Sequence, residues 1–379
     1  MDDMSMGGAV PVVDTGPSPA GPGRLGPRDL REWLVLVEGL GQLQRVAVPV
    51  SRNEEMGAIT YMAHQTLNAP ALLFEQIQGC PAGFRALWNP IGSSLDRFAV
   101  AIGEPTGLSA LDLIRRCKTK LAQTIPPVIV DGLRAPVHEN HMRGDAIDIR
   151  QFPASRHWPK DGGEYVGTCD AVITRDPDAG WLNAGTYRMM VQGPNEVGLY
   201  LSPGKDARLH IERSWSRNEP CEVAACWGID PALFIAASQT FPKTASEFDY
   251  VGGMLGRPVE LVAGEATSLL YPARAEIVVE GVIPPGSQRL EGPFGEFTGY
   301  YGRPEDLAFL VEVKAVHYRH EPINTQALMA DYPANECALL YAIARSARVW
   351  NDMDRLGVPG IRGVYAHPAS AGGFGATIV

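Results

Sequence analysis

Apolar residues first recur at helical spacing in PRDLREWLVLVEGLGQL, where Leu30, Trp33, Leu34 and Val37 share one face behind Asp29, a suitable N-cap. From there to about residue 125, strand-like runs (ALLFEQI, FRALWNP) alternate with helical ones (EEMGAITYMAHQTL, SALDLIRRCKTKLAQ), which predicts an α/β layer over residues 28–125. The pattern changes at IPPVIVDG. From 126 to about 325 it reads as short strands between turns: TCDAVITRD, AGTYRMMVQG, EVGLYLSPG, EVAACWGI, RPVELVAGE, AEIVVEGVI and LAFLVEVKAVHYR. Helices are expected within this region at ERSWSRN and TASEFDYVGGML, and the whole reads as a β-barrel or sandwich. Residues 326–379 hold a strong helix, NECALLYAIARSARVWNDMDRLG, then a strand, IRGVYAHP, and a Gly-rich end whose TIV is strand-like. That helix presents Leu339, Leu340, Ile343, Ala347 and Trp350, a face for the core or for a dimer partner. The fold class is mixed α+β. Residues 1–27 bury too little to offset the cost of ordering and are expected to be a flexible tail.

Composition narrows the function. The chain has 379 residues, 45% of them hydrophobic, enough for a large core and several domains. Lys and Arg total 33 against 43 Asp and Glu, a formal charge of −10 with no basic run, so nucleic acid is not an expected partner. No apolar stretch reaches the roughly 18 residues that span a bilayer, and the start lacks a secretory h-region. Stable membrane insertion is therefore not expected, and the location is expected to be cytoplasmic. Six cysteines without CxxC spacing read as reduced core thiols.

Four polar clusters carry candidate chemistry. WLNAGTYR (181–188) joins a tight-turn pair, Asn183 and Gly185, to a stacking Tyr187 and to Arg188, whose planar fork suits a carboxylate or phosphate; a hairpin with a surface ion pair fits the octet as well. In SPGKDARLHIE, Gly204 and Lys205 suit a phosphate, and Asp206 and His210 a metal; a solvated loop is the plainer reading. Glu247 and Asp249 open a helix, where acids also serve merely to complement the dipole. EGPFGEFTGYYG (291–302) holds Glu291 and Glu296 on a loop constrained by Pro293 and three glycines. Two close carboxylates beside a guanidinium divide into a neutral acid and an anion, the division that proton transfer to carbon requires. HENH (138–141) and HYRH (317–320) read as surface histidines, and GGFG (372–375) is too short to mark a nucleotide site. GxSxG, GxxxxGK[ST] and HExxH are absent.

In order, W-x-N-x-G-x-Y-R, P-G-K-x-x-x-x-H, a Glu-bearing helix and E-G-P-F-G-E-x-x-G-Y resemble the UbiD family of decarboxylases that use prenylated FMN, as does HWPKDGGEYVGTCDAVIT (157–174). The resemblance runs from about residue 28 to the end. It implies an N-terminal α/β domain, a split β-barrel flavin domain and the start of a C-terminal α/β oligomerisation domain. It further implies reversible, non-oxidative decarboxylation of an α,β-unsaturated or (hetero)aromatic acid by cycloaddition to the flavin. Asn183, Ala184, Gly185, Thr186, Tyr187, Arg188, Lys205, Asp206 and Glu247 would hold the cofactor. Asn183, Asp206 and Glu247 would bind manganese, and Trp181 with Ala237 and Gln239 would lie near potassium. Arg188, Glu291 and Glu296 would form a catalytic network with Glu296 as proton donor. A flavin prenyltransferase would supply the cofactor, and the protein would form a homodimer or a larger homo-oligomer.

Two departures stand out. Many relatives carry histidine where this chain has Asp206, which leaves His210 as an alternative ligand. Relatives also continue past TIV into S-I-K-Q and an oligomerisation segment. The competing readings are a non-catalytic flavin- or metal-binding form or scaffold, and a metal-dependent hydrolase using the same acids.

Overall fold

The computed structural model describes residues 25–243, 245–370 and 375–379; residues 1–24 of the expected tail and 372–374 of GGFG lie outside them. Order already begins within the last residues of that tail, where the Gly26 amide donates to the Leu255 carbonyl at 3.1 Å. The first helix, Leu30–Gly39, starts as its pattern dictates: the Asp29 carboxylate accepts from the Glu32 amide, and Leu30, Trp33, Leu34 and Val37 are buried.

Four strands form the amino-terminal sheet, in the order Leu43–Val46, Ala71–Phe74, Arg85–Trp88 and Ile323–Gln326. The last pairs in parallel with Arg85–Trp88, so the chain passes through the whole central region before returning to complete this sheet. Leu43–Val46 shows no burial alternation, and no strand was expected there.

The central sheet has ten strands. Its spine is Asp306–Tyr318, thirteen residues long, paired with Ile277–Ile283, Glu196–Leu199, Gln288–Glu291 and Asn140–Arg143. Cys221–Trp227, Asp170–Arg175 and Leu182–Gly185 follow beyond Ile277–Ile283. The hydrogen-bonded path ends at Tyr165–Gly167 on one side and Leu182–Gly185 on the other, so the split barrel is an open sheet that does not close on itself. Both end strands are short, three and four residues.

The expected single strand AGTYRMMVQG is broken. Leu182–Gly185 and Met189–Gly193 lie in different parts of the sheet, separated by Thr186–Arg188. The cause is Asp170, whose Oδ1 accepts from the Thr186 hydroxyl and the Tyr187 amide, both at 3.0 Å, while the Thr186 amide turns to the Ala237 carbonyl. Burial pushes the Asp170 carboxyl up to about 7.

Glu336–Arg355 is the long carboxy-terminal helix, capped by Asn335, and its apolar face from Leu339 to Trp350 is buried in the core. Tyr365–Ala366 pairs with Thr377–Ile378, so the terminal TIV does form strand. Five of the six cysteines are buried, Cys80 partly so, and all are unbridged. The surface reading fails for His317: the spine strand is covered on both sides here, Ala315, Val316 and His317 all being buried, and the His317 Nε2 meets Glu280 Oε1 at 2.9 Å, while half-buried His138 meets the Tyr271 hydroxyl at 3.0 Å. No helix among the described residues is long and apolar enough to cross a membrane.

Candidate active site

Gln288–Glu291 pairs with the spine strand up to Glu291 opposite Asp306, which leaves Glu291 at the strand end with its side chain 0% exposed. Gly292 follows at φ +87°, a conformation open to glycine and strained for other residues. Beyond it, the Gly299 amide bonds back to the Glu296 carbonyl and the Glu296 amide to the Tyr300 carbonyl, a tight turn with Glu296 at its root.

The HWPKDGG segment is the bed under this loop. Asp161 Oδ1 accepts from the Gly295 amide at 2.9 Å, and its Oδ2 accepts from the amides of His157 and Trp158. The Gly162 amide donates to the Pro293 carbonyl at 2.8 Å. A Cβ on Gly162 would sit 1.9 Å from the Gly292 carbonyl oxygen. Gly162→Ala is therefore expected to displace the loop and destabilise the protein by about 1–3 kcal/mol, whereas Gly39→Ala, with no atom within 4 Å, stays within about 0.5 kcal/mol of wild type. Thermal melts of both variants check this.

Arg188, freed from the ladder by the break, reaches both acids. Its Nε and Nη2 bond Glu291 Oε1 and Oε2, each at 2.9 Å, and its Nη1 bonds Glu296 Oε1 at 2.9 Å. The Tyr165 hydroxyl donates to Glu291 Oε1 at 2.6 Å. Glu291 thus accepts three hydrogen bonds, the pattern of a carboxylate. Glu296 is different: its side chain is 24% exposed, and burial holds its carboxyl above the ordinary range even though Arg188 pulls the other way. One acid is clamped on both oxygens; the other keeps Oε2 clear of the clamp.

Glu296 also lines a cleft of about 290 Å3 walled by Tyr61, Trp158, Tyr300, Tyr301, Met329 and Ala330, with Lys160 and Asp331 as its other charged residues. Tyr61 and Trp158 meet edge to face at 5.2 Å. A cleft of this size and aromatic character suits a ring-bearing acid.

A second cleft gathers Asn183, Gly185, Thr186, Tyr187, Lys205, Asp206, Ala237, Gln239 and Glu247. Ala184 lies behind it, its amide donating to Glu247 Oε2 at 2.8 Å. Asp206 opens the helix Asp206–Ser216, which begins earlier than expected because Gly204, at φ +81°, turns the chain just before it. Asn183 Nδ2 is buried without a hydrogen-bond partner. Burial, with a smaller contribution from Asp206, pushes the Glu247 carboxyl up to about 7. Two acids and an amide oxygen, at a cleft that holds one lysine, fit a hard divalent cation. Among the described residues no group of three or more His, Cys, Asp or Glu side chains could hold a metal; this set depends on the amide.

Two expected ligands lie elsewhere. His210 is buried against the Thr174 hydroxyl at 2.9 Å and 3.7 Å from Asp176, outside the cleft. Trp181 packs its ring on His210, and its carbonyl accepts from the Asp176 amide. Residue reading also missed Tyr61 and Asp331. For Trp158, Asp161, Tyr165 and Asp170 the signal was present in HWPKDGGEYVGTCDAVIT but carried no assigned role.

Comparison with known proteins places the chain in a family. Residues 34–117 match the 3-octaprenyl-4-hydroxybenzoate carboxy-lyase N-terminal domain, and residues 128–332 its Rift-related domain. A pyrrole-2-carboxylic acid decarboxylase of Pseudomonas aeruginosa is 31% identical over 342 residues, 87% of this chain and 67% of the relative. A phenolic acid decarboxylase of Bacillus subtilis is 32% identical over 321 residues, 83% of this chain and 67% of the relative. The chain thus spans about two thirds of the length of these relatives. Among solved structures, an evolved dimeric form of the UbiD-class enzyme HmfF from Pelotomaculum thermopropionicum, in complex with prFMN, superposes with TM-score 0.82 at 31% identity, covering 91% of this chain and 77% of that one. The closed form of Sedimentibacter hydroxybenzoicus vanillic acid decarboxylase gives 0.84 at 29% identity, covering 91% and 72%.

Proposed function

Because this chain belongs to the UbiD family of carboxy-lyases, we propose that it releases carbon dioxide from an aromatic or α,β-unsaturated carboxylic acid with prenylated FMN as cofactor. The single observation that carries this reading is the Arg188 clamp, which binds Glu291 through two nitrogens and Glu296 through one. When bound, the cofactor supplies the cycloaddition chemistry that lets the substrate's carboxyl carbon leave as carbon dioxide.

The chain's own residues position, neutralise and protonate. Glu296 gives its Oε2 proton to the carbon that carried the carboxyl group. Arg188, already bonded to Oε1, stabilises the carboxylate that remains. Exposure on one side lets that carboxylate recover a proton from solvent. Glu291 and Tyr165 keep the guanidinium aimed. The ring-lined cleft beside Glu296 would take the substrate's body and exclude water.

Asn183, Asp206 and Glu247 would hold Mn2+ against the flavin phosphate, with Lys205 as a further cation. Ala237 and Gln239 line the same cleft and would approach K+; Trp181 would act there only from outside. A flavin prenyltransferase would supply the cofactor, and the dimeric relative supports a homo-oligomer.

The test is to co-express the protein with a flavin prenyltransferase. Absorbance, the mass of the released flavin, bound metal and carbon dioxide release from a panel of aromatic and acrylic acids are then recorded. Expected are a prenylated flavin, manganese, and turnover that requires both. Bound flavin with no turnover of any acid would favour the non-catalytic reading, and turnover without flavin the hydrolytic one.

A further inference from the structure

The acid loop does not end at Glu296. Its turn brings Arg303 back beside the same carboxylate, through the Gly295–Tyr301 bridge and a glycine, Gly302, where a Cβ would sit 3.3 Å from Glu296 Cγ. The Arg303 guanidinium carbon lies 4.2 Å from the centre of the Tyr200 ring. The Arg188 guanidinium carbon lies 4.2 Å from the centre of that same ring. Glu296 thus bonds Arg188, Arg188 and Arg303 share the Tyr200 ring, and Arg303 follows Glu296 on the same loop.

We infer that Arg303 is a positioning residue for the proton donor: stacked on Tyr200, it pins the acid loop and keeps a second positive charge beside Glu296. This rests on the decarboxylase reading for its catalytic meaning, though not for its geometry. Cation–π contact fixes the plane of a guanidinium as well as its place, which a lysine cannot reproduce. The ion-pair partner of Arg303 is Asp306, at 3.2 Å but 69% exposed, so solvent screens that pair and leaves much of the charge uncancelled. A rim ion pair alone would not need the shared ring.

The other charged or titratable groups around Glu296 are accounted for. Arg188 and Glu291 face it from the clamp, Lys160 and Asp161 belong to the bed of the loop, and Tyr61, Tyr300, Tyr301 and Asp331 line its cleft. Among them Arg303 is the cation carried by the donor's own loop.

A donor must be protonated, so activity falls as pH rises through its titration. Removing a nearby cation moves that fall to higher pH. In the holoenzyme, Arg303→Gln is expected to lower kcat about tenfold and to move the basic limb of the kcat profile up by roughly half a unit to one unit. Arg303→Lys keeps the limb near its original place yet still loses kcat. Asp306→Asn, at an exposed and screened site, leaves the limb near its original place. Tyr200→Phe retains more activity than Tyr200→Leu. The Glu296 carboxyl band, followed by infrared titration of the holoprotein with Glu296→Gln as blank, moves in the same directions. An unshifted limb and band in Arg303→Gln would overturn the inference, as would a shift in Asp306→Asn as large as that in Arg303→Gln. If no acid is turned over, the decarboxylase reading fails instead, and the infrared titration still decides whether Arg303 governs Glu296.

Discussion

Replacing Glu296 with Gln is expected to abolish carbon dioxide release while prenylated flavin and metal remain bound. The amide keeps the shape of the side chain and can still accept from Arg188 Nη1, so the loop should hold its place. What it lacks is a transferable proton, and general acid catalysis of this kind is worth about 10²–10⁴-fold in rate. Steady-state carbon dioxide release, with flavin content measured on the same sample, checks the prediction. Turnover within tenfold of wild type would remove Glu296 from its role. The wild-type pH profile should agree: burial raises the Glu296 carboxyl above the ordinary range, so the acid form persists to higher pH than in a free glutamate. Activity should decline on the basic side as that proton is lost.

Arg188→Ala is expected to fail more broadly, in stability as well as in rate. Glu291 is 0% exposed and would keep only the Tyr165 hydroxyl. Removing one partner of a buried pair costs about 3–5 kcal/mol, because the remaining charge has no water to return to. The melting temperature should fall by several degrees and turnover should vanish. The double variant Arg188→Met, Glu291→Leu separates the two effects: it should recover much of the lost stability, since no orphaned charge remains, without recovering turnover. A double variant as unstable as Arg188→Ala would show that the pair matters for packing, not for charge.

The parts of the fold that the sequence made legible are those whose burial is periodic. Leu30–Gly39 and Glu336–Arg355 follow their apolar patterns because each packs one regular face, and Asp306–Tyr318 reads as strand from its long apolar, β-branched run, buried on both sides. The break at Thr186–Arg188 was not legible, since its cause is the carboxylate of Asp170, sixteen residues from Thr186 in the chain. His317 was misread for a related reason: its spacing to His320 resembles a surface motif, but the strand that carries it is covered on both faces, so either orientation would bury it. In the site, Arg188, Glu291 and Glu296 could be named because EGPFGE and WLNAGTYR have unusual composition. Tyr165 lies in HWPKDGGEYVGTCDAVIT and Arg303 just beyond EGPFGEFTGYYG, in view but without a role, whereas Tyr200 stands in a segment of ordinary composition and only the folded arrangement brings it to Arg188. His210 carried a ligand's chemistry but is committed to Thr174.

The parallel pairing of Ile323–Gln326 with Arg85–Trp88 has a consequence for synthesis. A nascent chain that has left the ribosome through residue 300 holds three strands of its first sheet and an open rim where the fourth belongs. Those backbone donors and acceptors can be satisfied only after more than twenty further residues emerge, and until then they invite pairing with other polypeptides. The amino-terminal portion is thus a dependent unit in time, one whose ribosome-bound intermediates should be the natural clients of chaperones.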